Sequence, residues 1–408
     1  MKRILIVGGG ASGIAAALQA AQTDPTAHIT ILERLDRVGK KILATGNGRC
    51  NLGNWGIAPE VSHSRTPNRL AQLLDAMPAE KTVSFFEQLG LLTITDDAGR
   101  IYPYARQASM VLDILRYALE QAHISIICGT EVTATTRQKR PFSVQTADGH
   151  EYPADAVILT TGGKAAPKQG SNGSGYPLAA AFGHSCTPLY PSLVGLRCRS
   201  RLLARLKGLR TQAQITLYTD GQRAASDRGE LQWNEYGISG IPAMNLSGTL
   251  AVCSPYDCAE VRIDFFPDFD YHELRARLTQ RIRHRGEQPL EILLSGTIPK
   301  RILSAVCQSL SLPLTQTGFA LTRREVDSLL SALKGWTLPV TGTQPWEQAQ
   351  VTAGGIPLTE IDDTFQSQRQ PNLYLAGEIL DAAGDCGGFN LHWAWCSGMI
   401  AGQAAVSG

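Results

Sequence analysis

The sequence predicts an α/β fold in which both ends of the chain build one parallel sheet and a module of different character is inserted between them. Three observations predict it. The apolar run RILIV, Arg3 to Val7, leads through a glycine-rich turn into an alanine-rich run, the pattern of a buried parallel strand followed by a helix. A second run of this kind, NLYLA at Asn372 to Ala376, lies near the other end and again precedes glycines and a helix-like segment. Between them, from Ser192 to Trp346, alternating apolar and polar residues replace the fully apolar runs, as in antiparallel strands with one wet face. At 408 residues the chain also exceeds what one apolar core serves well, so more than one domain is expected.

The first strand, Arg3 to Val7, is followed by VGGGASG and a helix from Ser12 to Gln22, and then by a second strand, HITILE, His28 to Glu33. Gly8, Gly10 and Gly13 fit G-x-G-x-x-G between strand and helix. In that pattern the first glycine permits a tight turn, the second lets a pyrophosphate approach the backbone and the third lets helix and strand pack closely. The helix start, with Ala11 and Ser12, then points its free N–H groups at the phosphates. Glu33, followed by Arg34, ends the second strand twenty residues after Gly13, where an acid accepts hydrogen bonds from a ribose diol and disfavours a 2′-phosphate. These residues predict a Rossmann-like dinucleotide site.

Next comes a loop from Arg34 to Arg65, rich in Gly, Lys and Asn; loops of such length usually carry function. Helical periodicity follows at Asn68 to Met77, Glu80 to Leu89 and Gln107 to Gln121. Between His123 and Ala156 the short runs ISIICG, EVTATT and FSVQTA, with turn signals at RQKRP and ADGHE, predict a small antiparallel meander. DAVILTTGG, Asp155 to Gly163, is a further buried strand ending in a glycine turn. In the inserted module, Gly208 to Ala225 reads as a hairpin turning at Asp220-Gly221, CAEVRIDFFPD as another strand, and Asp270 to Leu333 as several helices. Buried strands resume at Val351 to Ile356 and Asn372 to Glu378.

The last strand closes the argument. Gly377 and Glu378 follow it directly, an acid placed to bind a ribityl hydroxyl or to approach a pyrophosphate through water. Gly387 and Gly388 precede a helix starting at Phe389 or Asn390, whose positive end can stabilise the negative charge of a reduced flavin. A nicotinamide-binding unit alone would not need this second glycine site, so FAD is the expected cofactor. Trp393 and Trp395 are read as core, and Ala394, Gly398 and Gly402, four apart on one face, as a stripe packing closely on the sheet.

Composition narrows the classes. A net charge of +2 with scattered Lys and Arg gives no nucleic-acid signature, and the short basic run RIRHRG, Arg281 to Gly286, reads as a solvated helix face. Nine cysteines without CxxC or a Cys/His quartet argue against a disulfide framework and a structural zinc; no metal site is expected. The opening run superficially resembles a signal peptide, but four glycines interrupt it and no apolar stretch of membrane-spanning length occurs. A soluble, cytoplasmic protein is expected.

Five segments together, VGGGASGIAAA, RVGKKILATGNGRCN, TTGGKAAPKQGSNGSGYPLAAAFGH, GELQWNEYGISG and LYLAGEILDAAGDCGGFNLHWAWCSGMIAG, resemble the BaiN/YhiN-like NAD(P)/FAD-dependent oxidoreductases, a family similar also to aminoacetone oxidase. The resemblance runs in order along nearly the whole chain. It implies a glutathione-reductase-type FAD domain at 1–191 and 347–408, a β-barrel-like domain at 192–269 and 334–346, and a helical domain at 270–333. It implies that the loop Gly39 to Asn51 wraps the FAD, with Lys41, Thr45, Asn47, Gly48, Arg49, Cys50 and Asn51 as contacts. It implies that Val132 meets the adenine through its backbone, that Thr161, Gly162 and Gly163 lie by the phosphate and ribose, and that Gly377, Glu378, Gly388, Phe389, Asn390 and Leu391 complete the site.

The chain also departs from the family pattern. His392 stands where Gln is expected, and WNEYGISGIP differs from the Phe-Thr-His type of segment. His392 either acts on a proton near the flavin or is a packed helix residue. GSNGSGYPLAAAFGH further resembles the fumarate-reductase-like flavoproteins, which implies that Lys164, Lys168 and Ser171 help bind an anion; the alternative is a plain polar loop before a helix. Cys50 and Cys386 would form a redox relay only with Cα atoms within about 7 Å. No second strand–GxGxxG–helix unit is present, so NAD(P)H would reach the flavin only transiently. The expected activity is hydride transfer through flavin N5 to or from a small organic substrate. Reduction of a C=C bond leads, with amine oxidation using oxygen or a flavin-containing tRNA-modification or binding accessory role as alternatives. Residue types and spacing single out no catalytic acid or base.

Overall fold

The computed structural model describes residues 1–136, 141–253 and 258–408. Its contacts divide the chain into two compact units, Met1–Ser192 with Pro345–Gly408, and Leu193–Gln344.

The first unit is organised by five strands: β1 (Arg3–Val7), β2 (His28–Glu33), β3 (Ser125–Cys128), β4 (Ala156–Leu159) and β5 (Leu373–Leu375). They lie in the order β5-β4-β1-β2-β3, and each neighbouring pair is parallel. Every residue of β4 and β5 is buried, which explains why both read as unbroken apolar runs: a parallel sheet is covered on its two faces. From β1 the chain moves to β2 on one side, while β4 flanks β1 on the other. Such a switch point opens a crevice beyond the carboxyl ends of the strands.

Helices α1 (Ala11–Thr23) and α2 (Phe389–Ser407) pack against each other. A Cβ at Gly398 would lie 2.3 Å from Ser12 O, and one at Gly402 would lie 2.2 Å from Ala16 O. The glycine stripe thus meets the backbone of α1, not the sheet expected from sequence. Only a residue without a side chain allows two helix backbones so close.

Three local expectations change. Ser125–Cys128, placed in the meander by its alternation, instead joins the parallel sheet beside β2. The meander itself is three-stranded, Val132–Thr136, Phe142–Thr146 and Glu151–Ala154; most of the turn expected at RQKRP falls outside the described residues. The loop Arg34 to Arg65 holds a 3-10 turn at Lys40–Gly48 and two very short strands, Gly53–Asn54 and Ser62–His63. These pair with Arg100–Pro103 and Ala383–Gly384. Two residues carry no period, so only their distant partners reveal them.

In the second unit six strands close into a barrel: Leu196–Cys198, Gly237–Ser239, Gln222–Asn234, Arg210–Thr219, Ala259–Asp264 and Trp336–Thr343. Burial alternates along Trp336–Thr343, and Trp233, Phe265 and Trp336 gather inside. The hairpin turns at Asp220 and Gly221, both in the left-handed region at φ 51° and 74°. Helices Tyr271–Arg285 and Arg323–Lys334 each start with a reciprocal capping box, Asp270/Glu273 and Thr322/Glu325. The basic run lies in the last turn of the first of them, with Arg283, His284 and Arg285 exposed. Barrel and helices share one apolar core.

Candidate functional site

The glycines after β1 do three different jobs. Gly8 turns at φ 106°, and a Cβ there would lie 2.6 Å from Thr160 O at the end of β4. A Cβ at Gly13 would lie 2.0 Å from Gly8 O, so this glycine is required for packing. Gly10 has an ordinary φ of −80°, and a Cβ there would meet nothing within 4 Å. Neither backbone nor packing demands a glycine at that position, and the space lies in front of the first turn of α1, which no side chain caps. An uncapped helix start with room before it suits an anion. Ala11 is half-buried; Ser12 is buried and turned toward Gly377, where a Cβ would lie 2.5 Å from Ser12 Oγ.

Glu33 is buried at 9% exposure. Its Oε2 accepts the Gly9 N–H at 2.7 Å and its Oε1 the Leu35 N–H at 2.8 Å. The carboxylate therefore shapes the glycine turn, and each oxygen keeps a second lone pair. Thr130 N–H donates to Glu33 O at 2.9 Å, which brings Val132, buried at the start of its strand, into the same region. The Arg34 guanidinium donates to Gly170 O at 3.1 Å.

The loop Gly39 to Asn51 joins this turn to the far end of the chain. Gly39 N–H donates to Gly9 O at 2.8 Å. Lys41 Nζ pairs with Glu378 Oε2 at 2.7 Å and reaches Ala165 O at 3.3 Å. Glu378 Oε1 accepts the Thr352 N–H at 2.9 Å, and Thr352 Oγ1 accepts from the Lys164 and Ala165 N–H groups at 2.7 and 3.0 Å. Sequence reasoning missed Thr352, whose sole signal is a threonine in the buried run VTAGGI. A Cβ at Gly163 would lie 2.3 Å from Thr352 Oγ1, and one at Gly162, at φ 72°, would lie 2.7 Å from the buried Ser171 Oγ. Thr161, at the head of this turn, is half-buried.

Within the loop, Asn47 and Gly48 are left-handed and exposed, and the Thr45 hydroxyl donates to Ile42 O at 2.6 Å. Arg49 is exposed, its guanidinium 5.5 Å from the centre of the Tyr102 ring. Cys50 is fully buried, and burial pushes its thiol up to about 12. It carries no thiolate near neutral pH, and no disulfide joins it to Cys386.

At the other end, Gly377 N–H donates to Ser397 Oγ at 3.0 Å and Gly377 O accepts from Trp393 Nε1 at 3.1 Å. Helix α2 starts after Gly388, at φ 101°, again without a side-chain cap. Phe389 is buried and Leu391 half-buried; the Asn390 side chain closes the preceding loop through the Gly384 N–H and C=O at 2.8 and 2.7 Å. Asn51 stands at this mouth: a Cβ at Gly388 would lie 2.5 Å from Asn51 Oδ1. That oxygen is buried and has no hydrogen-bond partner among the described residues. A stranded buried acceptor costs about 1–3 kcal/mol, which a ligand N–H would relieve.

His392 belongs to the core. Its Nδ1 lies 2.9 Å from Thr82 Oγ1 and its Nε2 2.8 Å from Met77 O. Burial lowers its pKa, so the ring is neutral. Trp395 stands edge-on to Phe86 and Trp393 to Phe365, as core residues do. The carboxyl edge of the sheet thus brings together Gly8 to Gly13, Glu33, Lys41, the turn at 161–163 and Gly377–Glu378.

A family model described as the HI0933-like protein Rossmann domain matches residues 2–404. The chain belongs to the HI0933-like family. The motif resemblance to the BaiN/YhiN-like oxidoreductases concerns this same family, and this HI0933-like protein is an oxidoreductase with a Rossmann-like nucleotide-binding domain. It is 38% identical to the 3-dehydro-bile acid delta(4,6)-reductase of Clostridium scindens, over 100% of this chain and 99% of the relative. It is 26% identical to the ribosomal RNA dihydrouridine synthase of Escherichia coli, over 99% and 98%. Among solved structures, the 3-ketosteroid delta1-dehydrogenase from Sterolibacterium denitrificans shares the fold at a TM-score of 0.50 and 13% identity, covering 100% of both chains. A quinol-fumarate reductase does so at 0.50 and 16%, covering 100% of this chain and 72% of the other. No helix among the described residues is long and apolar enough to cross a membrane.

Proposed function

We infer that this HI0933-like protein binds FAD between the two ends of its chain and uses it to saturate an activated C=C bond of a small organic substrate, with NAD(P)H as electron donor. The observation that carries this reading is the unpartnered Asn51 Oδ1 at the uncapped start of α2. It is matched at the other end by the uncapped start of α1 behind the open space at Gly10. An extended molecule with phosphates in its middle and a ring carrying both N–H and developing negative charge suits both ends. FAD supplies the hydride chemistry when bound; the chain positions and shields it.

In this reading the first unit is a glutathione-reductase-type FAD domain, and the barrel and helices are insertions in it. The N–H groups at Gly10 to Gly13 hold the pyrophosphate, with the turn at Thr161 to Gly163 beside it. Glu33 offers its remaining lone pairs to the adenosine ribose, and the backbone at Val132 borders the adenine. Lys41, Thr45, Asn47, Gly48, Cys50, Asn51, Gly377, Glu378 and the start of α2 from Gly388 to Leu391 enclose the flavin part, while Arg34 steadies the loop at Gly170. Lys41 and Glu378 neutralise each other beside the ring, so its charge depends on the helix dipole and on Asn51. The C. scindens relative, named for reducing delta(4,6) unsaturation, supports a double bond as target.

Anaerobic mixing tests the reading. The purified protein should carry flavin absorption, NADH or NADPH should bleach it, and a conjugated cyclic ketone should restore it. A colourless protein that stays colourless with added FAD overturns the assignment. A second reading, saturation of a uracil ring in RNA, is favoured by the two dihydrouridine synthase relatives, since that ring also holds a C=C bond conjugated to a carbonyl. Dihydrouridine in treated ribosomal RNA, detected by mass spectrometry, would promote it. Bleaching by amines alone would favour amine oxidation.

A further inference from the structure

We propose that His63, held by Asp385, is the proton donor of this reduction. The proposal rests on the double-bond reading above. Saturating a conjugated C=C bond adds a hydride to one carbon and a proton to its neighbour, and a positioned side chain delivers that proton faster than bulk water does.

Several other titratable groups near the carboxyl edge are committed elsewhere. Glu33 is bound by two backbone N–H groups, and Glu378 is locked to Lys41. His392 is sealed in the core, and the Cys50 thiol is pushed up to about 12 by burial. Asp381, 2% exposed, accepts the Arg65 N–H at 3.0 Å.

The pair His63–Asp385 differs. His63 Nε2 lies 2.7 Å from Asp385 Oδ1, and the side chains are 17% and 21% exposed, sheltered yet reachable by a small molecule. His63 sits in the short strand opposite Ala383, and Asp385 N–H donates to Val61 O at 2.9 Å. The next residue along that strand, Gly384, is bound through both backbone groups to Asn390, the second residue of α2. A Cβ at Gly384 would lie 2.6 Å from Phe389 Cβ. His63 is therefore fixed one strand away from the helix start where Asn51 Oδ1 lacks a partner. Asp385 is the charged group paired with it, and Arg65, two residues further on, donates its N–H to Asp381.

The step balances. The substrate double bond accepts a hydride, with its electron pair, at the carbon β to the carbonyl; the displaced π electrons form an enolate. The α-carbon then takes the proton from Nδ1 of the His63 imidazolium. Asp385 remains a carboxylate at Nε2, stabilising the cation and fixing the ring, as a carboxylate does for a catalytic imidazole. Water restores the proton, and the two electrons come from the reduced nicotinamide nucleotide through the flavin.

The test uses the FAD-loaded protein with His63→Gln and Asp385→Asn. Flavin reduction by NAD(P)H should stay within about twofold of the parent, because no proton donor acts there, while reoxidation by 2-cyclohexenone should slow on the order of 10²–10³-fold in His63→Gln. A second readout is independent of turnover: a phenolate, which mimics the enolate oxygen, should bind His63→Gln about tenfold or more weakly at unchanged flavin content. Unchanged reoxidation together with unchanged phenolate affinity overturns the proposal, as does a parent that binds no phenolate and is not reoxidised by the enone. A parent that NAD(P)H fails to bleach overturns the function above instead; dithionite-reduced protein then still tests His63.

Discussion

Lys41 Nζ and Glu378 Oε2 lie 2.7 Å apart although the residues are 337 positions apart in sequence. The pair is partly buried, with side chains 24% and 19% exposed, and it ties the loop after β2 to the end of β5. Lys41→Met should destabilise the protein by about 1–3 kcal/mol, less than a fully buried pair because water still screens it. Adding Glu378→Gln should recover part of that loss, as urea unfolding of both single variants and the double variant would show. Simple additivity would mean that the contact contributes no coupling.

Gly10 and Gly13 should separate binding from folding. A Cβ at Gly13 collides with Gly8 O while one at Gly10 meets nothing. Gly13→Ala should lower apoprotein stability by about 1–3 kcal/mol. Gly10→Val should leave apoprotein unfolding almost unchanged and reduce FAD retention after dialysis. Equal retention would remove Gly10 from the pyrophosphate site.

Acid stability should follow a buried cluster in the first unit. Burial alone would raise the Glu360 carboxyl, but hydrogen bonds from Arg369, Ser185 and His184 outweigh it and hold the group at about 2, below its ordinary 4.5. Burial pushes His184 down. The neutral ring donates from Nδ1 to Glu360 and accepts the Ser367 hydroxyl at Nε2, each at 2.7 Å. The unfolded chain binds protons more readily at both groups, so stability falls as pH drops. The histidine contribution should fade below the ordinary 6.5 of an imidazole. The carboxylate contribution, on the order of 3 kcal/mol, should persist above 4.5 and vanish between 4.5 and about 2. Urea midpoints measured against pH should show this, and Glu360→Gln should flatten the lower limb.

Cys50 should resist alkylation. Its thiol is fully buried and pushed up to about 12, whereas Cys128 and Cys186 are exposed. Iodoacetamide at mildly alkaline pH followed by peptide mass spectrometry should label both of the latter and leave Cys50 unmodified until urea is added. Rapid labelling of Cys50 in the folded protein would contradict this burial.

Much of this architecture is written locally. The apolar runs of β1, β4 and β5, the glycine turn before α1, Glu33 closing β2 and the Asp220-Gly221 hairpin all follow from period and turn chemistry within a few residues. The change of character at Ser192 likewise falls beside the boundary at Leu193. Tertiary structure alone decided that the stripe Gly398–Gly402 meets α1, that Ser125–Cys128 joins the parallel sheet, and that Thr352 braces Glu378. It alone brought His63 to Asp385, 322 positions away. Periodicity and turn preference are properties of neighbours along a chain. Which carboxylate meets which cation or imidazole depends on how distant segments pack, and two-residue strands carry too little pattern to announce their partners.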